Sequence, residues 1–162
     1  MQGTELQKCV MGVVIIDVVE GTAMEALPFM EQIVKNRPVH FPDLQSVVKY
    51  GVIGGQVRNK RSARVSMPAQ VKEVMDQAIN KPKYVWRTDL MATKEYWTEW
   101  FSGLTQSFLS LQTKKCLFLA GAERMDTELT VAHMQGKYQM DVIGDCGHVI
   151  QEDQPAKVCE KI

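Results

Sequence analysis

The 162-residue sequence predicts an α/β chain built on a parallel sheet, and three observations predict it. Two runs, Gly12 to Val18 (GVVIIDV) and Cys116 to Ala122 (CLFLAGA), are almost continuously apolar, as strands covered on both faces must be. A third, Tyr138 to Ile143, follows the second across one short helical pattern, and strand, helix, strand in that span implies a right-handed crossover to a parallel neighbour. Between the first run and the second lies a stretch far longer than the roughly twelve residues a crossover needs, so an insert is expected there.

Taken in order, the first run is β-branched from Val13 to Ile16 and meets Asp17 and Glu20 at once. No small-residue cleavage site follows, so a strand fits better than the core of a leader peptide. Even extended back to Val10, the run is far shorter than the roughly 20 apolar residues that span a bilayer, and no transmembrane helix is expected. The insert shows helical patterns at Ala23 to Lys35, Phe41 to Tyr50, Ala69 to Asn80 and Thr93 to Ser110, punctuated by Arg37-Pro38, Gly54-Gly55 and Lys81-Pro82. It reads as a helical cap. Its aromatic segment holds Trp86, Tyr96, Trp97, Trp100, Phe101 and Phe108; most of these rings should be core, with one or two lining a pocket. Between the last two strands, Asp126 or Thr127 caps a helix that Gly136 ends. Beyond Ile143, Gly144 to Glu152 reads as a loop, and Pro155 stands where the first turn of a final helix places it.

Nineteen Lys plus Arg balance nineteen Asp plus Glu. This neutrality argues against nucleic acid or an anionic membrane as the main partner, because both are held by clustered cations. The four cysteines, Cys9, Cys116, Cys146 and Cys159, form no CxxC pair and read as reduced thiols, which favours a cytoplasmic or nuclear compartment.

Three groups carry candidate chemistry. Of the three histidines, His40 and His133 fit structural roles, whereas His148 lies in Cys146-Gly147-His148 beyond the last strand, where the ligand crevice of an open parallel sheet sits. Asp17 ends an apolar run, and a carboxylate buried there needs a hydrogen-bond partner; a histidine N–H would serve, and so would the turn through Gly21 and Thr22. Glu123 and Asp126 follow the second strand and compete with Asp17 as the acid, Asp126 also being a natural helix cap. None of the six serines lies in a GxSxG elbow, Cys146 reads as a buried thiol, and neither a phosphate loop nor a metal-ligand spacing is present. The sequence holds an acid and a base without an evident nucleophile.

Three segments carry a family resemblance: Ile16 to Met24 (IDVVEGTAM), Gln56-Val57-Arg58-Asn59 followed by Ser62 to Met67 (SARVSM), and the run from Leu117 through Met134-Gln135-Gly136-Lys137 to His148. Together with the aromatic segments Tyr84 to Trp86 and Tyr96 to Phe101, they closely resemble the protein phosphatase methylesterases. The resemblance implies an α/β-hydrolase fold, incomplete here: residues 1–162 match the C-terminal part of one such domain, with a cap at about 27–112 inserted between strands and the early strands and nucleophile elbow absent. It implies a serine carboxylesterase that removes the methyl ester from the C-terminal leucine of the protein phosphatase 2A catalytic subunit, with Asp17 as triad acid, His148 as base, no cofactor, and a serine that would precede Met1. A truncated protein that binds the phosphatase without hydrolysing it is the alternative. Two differences stand out: the long acidic insert of vertebrate-like members, near Glu73 to Lys83, is lacking, and Glu123 replaces a frequent Asp. If the sheet forms as in that family, an Asp17 oxygen lies about 2.6 to 3.2 Å from one His148 ring nitrogen, with the other nitrogen aimed into a cleft.

Overall fold

The computed structural model describes residues 9–162. Its centre is a parallel sheet of three strands, β1 (Gly12–Ile16), β4 (Lys114–Leu119) and β5 (Gln139–Val142), in the order β1-β4-β5. β1 runs beside β4 from Gly12 opposite Lys114 to Ile16 opposite Phe118, and β4 beside β5 from Cys116 opposite Gln139 to Leu119 opposite Val142.

β4 explains the continuous hydrophobicity of its sequence. Leu117 and Leu119 turn to one face, where they pack with Val19, Phe108, Leu129 and Tyr138, while Phe118 turns to the other, against Ile143, Cys146, Ile150 and Val158. All three are essentially inaccessible to water. Successive side chains of a strand point to opposite faces, so a strand sandwiched between layers has no position left for a polar residue. The first layer is supplied by α5 (Leu104–Ser110) and α6 (Thr127–Met134), the second by α7 (Ile150–Asp153) and α8 (Pro155–Lys161), which has Pro155 in its first turn as expected.

Between β1 and β4 lie α1 (Glu20–Lys35), α2 (Leu44–Ile53), α3 (Lys60–Ala69), an antiparallel hairpin of β2 (Val71–Asp76) and β3 (Lys81–Trp86), a 3-10 turn (Met91–Tyr96), α4 (Trp97–Phe101), and then α5. The insert is therefore not wholly helical, and the helix expected over Ala69 to Asn80 is replaced by β2 and the hairpin turn. The reason is the partner strand: Tyr84, Val85 and Trp86 are strong β-formers, and pairing Val71 with Trp86 through Asp76 with Lys81 satisfies both backbones. Asn80, at φ 50°, closes the turn in the left-handed region that asparagine tolerates.

α3 is a helix that the periodicity did not announce. Asn59 caps it, its side-chain oxygen accepting the N–H groups of Arg61 and Ser62, and it buries only Ala63 and Met67. Those two join Phe41, Val47, Val57 and Val71 in a core belonging to the insert, against which Trp86 and Val149 pack. Gly51 of α2 lies so close to Met67 that an added Cβ would stand 2.6 Å from its sulfur. The helix expected over Thr93 to Ser110 is broken at Gly103, whose φ of 77° glycine accepts at little cost. Of its rings, Trp97 and Phe108 are buried, whereas Tyr96 and Trp100 remain exposed.

The four cysteines are free thiols. Among the described residues, no helix is long and apolar enough to cross a membrane.

Candidate active site

Asp17 follows the last residue of β1. Its N–H continues the ladder, donating to the Phe118 carbonyl at 2.8 Å, and its backbone then turns into the left-handed region at φ 52°. Such a conformation is uncommon for a residue with a Cβ and persists only where its surroundings over-determine it. Here the surroundings are hydrogen bonds. The side chain is 1% exposed. Oδ1 accepts the N–H of Ala120, the residue after β4, at 2.9 Å, and Oδ2 accepts from Arg124 Nη1 at 2.6 Å. The same Oδ2 stands 2.9 Å from His148 Nδ1. The carboxylate thus turns inward, away from the Gly21–Thr22 turn, and α1 starts without a side-chain cap.

His148 comes from the loop beyond β5, so Asp17, Arg124 and His148 meet at the carboxyl ends of the three parallel strands, where an open α/β sheet places its ligand crevice. The Nδ1–Oδ2 separation lies inside the window set from the sequence. The expectation for the other nitrogen needs correction: His148 Nε2 is met by Arg124 Nη2 at 3.1 Å, while Nη1 lies 3.0 Å from Nδ1. A guanidinium only donates, and a neutral imidazole offers one acceptor nitrogen. Only one of the two guanidinium approaches can therefore be a hydrogen bond: with the ring proton on Nδ1, facing Asp17, the acceptor is Nε2 and the Nη1–Nδ1 approach is a contact between two donors. The ring is otherwise open, its side chain 74% exposed.

The competing acids are placed elsewhere. Asp126 caps α6, its Oδ1 accepting the Leu129 N–H at 2.8 Å and its Oδ2 the Thr105 hydroxyl at 3.4 Å. Glu123 is exposed, its carboxylate folded over Gly121. His133 packs on Tyr138, ring centroids 5.5 Å apart, and His40 is exposed. Cys146 is buried, donates to the Ile143 carbonyl, and has its thiol pKa pushed up by burial, so it is a poor nucleophile.

Beside the Asp17–His148 pair is a cavity of about 270 Å³, walled by Val18, Thr22, Ala23, Ala26 and Phe101. It is mainly apolar, and no serine among the described residues lines it. A larger groove of about 650 Å³ runs between α2 and α3, but its lining, including Val48, Val52, Lys49 and Arg64, offers neither a carboxylate nor a histidine. Of the two, only the smaller cavity is lined by a carboxylate and a histidine. Among the described residues no group of His, Cys, Asp and Glu converges as a metal ion would require.

Arg124 is the residue that sequence reasoning missed. The available signal was the need of Asp17 for a donor, which an arginine in the 3-10 turn after β4 (Ala122–Arg124) meets as well as a histidine does.

No protein-family model matches the chain. Curated relatives do. Protein phosphatase methylesterase 1 of Aspergillus fumigatus is 46% identical over 96% of this chain and 37% of its own length. The probable protein phosphatase methylesterase 1 of Caenorhabditis elegans is 42% identical over 94% of this chain and 41% of its own length. Protein phosphatase methylesterase 1 of Bos taurus is 38% identical over 98% and 52% respectively. The chain thus spans between about a third and a half of the length of these relatives. The bovine alignment extends over 198 positions, so that relative carries residues this chain lacks. Among solved structures, an esterase from Mycobacterium tuberculosis superposes with a TM-score of 0.65 at 18% identity, covering 94% of this chain and 52% of its own. E-2-(acetamidomethylene)succinate hydrolase gives 0.66 at 15%, covering 94% and 56%. The fold is that of an α/β hydrolase, incomplete within these residues.

Proposed function

Proceeding from kinship with the protein phosphatase methylesterases over nearly the whole chain, we propose that these residues supply the acid, the base and part of the substrate cleft of a serine carboxylesterase. Its substrate is the methyl ester on the C-terminal leucine of the protein phosphatase 2A catalytic subunit. The 162 residues form the later part of one hydrolase domain, and the serine comes from chain outside them.

The observation that carries this reading is the contact of His148 Nδ1 with the buried Asp17 carboxylate, which leaves Nε2, now met by Arg124 Nη2, as the nitrogen to act as base. In the reaction, Nε2 accepts the serine hydroxyl proton as Oγ attacks the ester carbonyl, and Asp17 stabilises the imidazolium that results. The collapsing tetrahedral intermediate expels the methoxy group, which takes the proton from Nε2 and leaves as methanol. Water then attacks the acyl-enzyme, His148 accepting its proton and returning one to serine, and leucine carboxylate departs. Backbone N–H groups outside this chain hold the oxyanion. For serine to reach Nε2, Arg124 Nη2 must yield its place there while Nη1 keeps its bond to Asp17. The apolar wall of Ala23, Ala26 and Phe101 suits an aliphatic side chain such as that of leucine.

The test is release of methanol from a methylated phosphatase tail peptide by the full-length protein. Turnover lost in His148→Ala and Asp17→Asn supports the reading. Turnover that survives both substitutions overturns it, and peptide binding without turnover in the unaltered protein leaves the non-hydrolysing binding protein in its place.

A further inference from the structure

We propose that Asp153 is a positioning residue for His148, and that through it the placement of the histidine depends on the insert. The proposal rests on the reading of His148 as the base.

Asp153 is 7% exposed, and among the described residues no cation pairs with its carboxylate. A buried carboxylate only accepts hydrogen bonds and is tolerated only where donors surround it. Its donors are backbone N–H groups from two distant parts of the chain. Oδ2 accepts from Gly147 at 2.7 Å, while Oδ1 accepts from Arg58 at 2.7 Å and Asn59 at 3.2 Å. One rigid group therefore joins the residue immediately before His148 to the segment that starts α3 of the insert.

The residues around His148 are held from the same side. Val149 packs against the core of the insert. Ser62 of α3 donates to the Glu152 carbonyl at 2.7 Å, and Asn59 Nδ2 to the Asp153 carbonyl at 3.4 Å. Asp145, earlier in the same loop, takes a φ of 62°, a conformation that must be held by its surroundings. The His148 side chain itself is largely exposed, so packing of the ring does not place it. Besides the contacts of its ring with Asp17 and Arg124, what places it is the Gly147 peptide on one side and Val149 on the other, and both are tied to the insert. A displacement of Arg58 and Asn59 moves the Asp153 carboxylate and with it the peptide that aims the ring at Asp17. A shift of about 1 Å in a catalytic group is enough to lower turnover about a hundredfold.

The test uses Asp153→Asn in the full-length protein. The amide turns one acceptor into a donor that faces an N–H, so one side of the bridge is lost while size is kept. The expected result is a folded protein in which the His148 ring resonances move while those of His40 and His133 stay, and in which kcat for ester hydrolysis falls ten- to a hundredfold with KM changed less than about twofold. A lowered melting temperature with unchanged His148 resonances and unchanged kcat would mean a merely structural role and overturn the proposal. Moved resonances in a protein whose unaltered form hydrolyses no ester would keep the positioning role and remove the catalytic reading instead. If Asp153→Asn does not fold, the milder Asn59→Ala decides, because it removes the α3 cap and the side-chain bond to the Asp153 carbonyl and so loosens the segment whose N–H groups hold the carboxylate: a moved His148 signal supports the bridge, and an unmoved one overturns it.

Discussion

Asp17 holds the carboxyl ends of two strands and a loop on one carboxylate. Its N–H extends the β1 ladder, its Oδ1 fixes the residue after β4, and its Oδ2 is shared by Arg124 and His148. In Asp17→Asn, an amide N–H must face either the Ala120 N–H or the guanidinium, and the charge that Arg124 pairs with is gone. Urea unfolding should show a loss of about 3 kcal/mol, the low end for breaking a buried pair. If Asp17 is the triad acid, kcat of the full-length protein falls about 10⁴-fold at the same time, because the imidazole is no longer held in the working tautomer. Arg124→Met removes a charge-assisted bond from a partly exposed group and should cost about 1–2 kcal/mol. It should also shift the His148 ring resonances, since that ring loses contacts at both nitrogens. An unchanged His148 spectrum would show that the guanidinium does not engage the ring in solution.

Among the elements, the joint between α1 and α5 is electrostatic. The Glu20 carboxylate accepts the N–H groups of Gly103 and Thr105 at 2.8 and 2.9 Å, at the start of α5, and these bonds hold its pKa below the usual value. A depressed carboxylate stabilises the fold fully above its unfolded-state pKa and loses that contribution as pH falls through the folded-state value. Hydrogen exchange at Gly103 and Thr105, corrected for intrinsic rates, should therefore accelerate as pH drops below about 4.5, and Glu20→Gln should abolish that pH dependence. The contact of α2 with α3 is steric instead. Gly51→Ala gains about 1 kcal/mol of helix propensity but drives a methyl into the buried Met67, and overpacking of this kind costs about 1–3 kcal/mol. The substitution should lower the melting temperature alone and raise it in a Met67→Ala background; lowering in both would exclude Met67 as the obstacle.

For the molecule as a whole, β1 matters most. Among the described residues it pairs with β4 only, and Met11, Val14 and Val18 along or beside it are exposed. A β-branched strand with free N–H and C=O groups on one side is a template for further pairing. The 162-residue chain expressed by itself should self-associate with rising concentration in sedimentation, and Val14→Lys should reduce this. A monomer at all concentrations would contradict it. The hairpin turn between β2 and β3 is the opposite case. It is an exposed tip, and a hairpin tip accepts extra residues without disturbing either strand.

The sequence by itself determined the sandwiched strand, because Leu117, Phe118 and Leu119 leave no polar face. It also marked the crossover helix, with Asp126 or Thr127 as its cap, and put forward Asp17 for its need of a partner and His148 for its place beyond the last strand. These are local signals, written in burial period, capping chemistry and the cost of a buried charge. Which partner each group takes was decided only by the tertiary structure. The segment from Val71 to Asp76 has no strong period of its own and became a strand because Tyr84 to Trp86 came back beside it. Arg124 reached Asp17, and Asp153 reached Arg58 and Asn59, through contacts between residues about a hundred positions apart, which no spacing in the sequence records. A carboxylate announces that it needs donors; only the fold, by bringing strand ends and the insert to one edge, selects them.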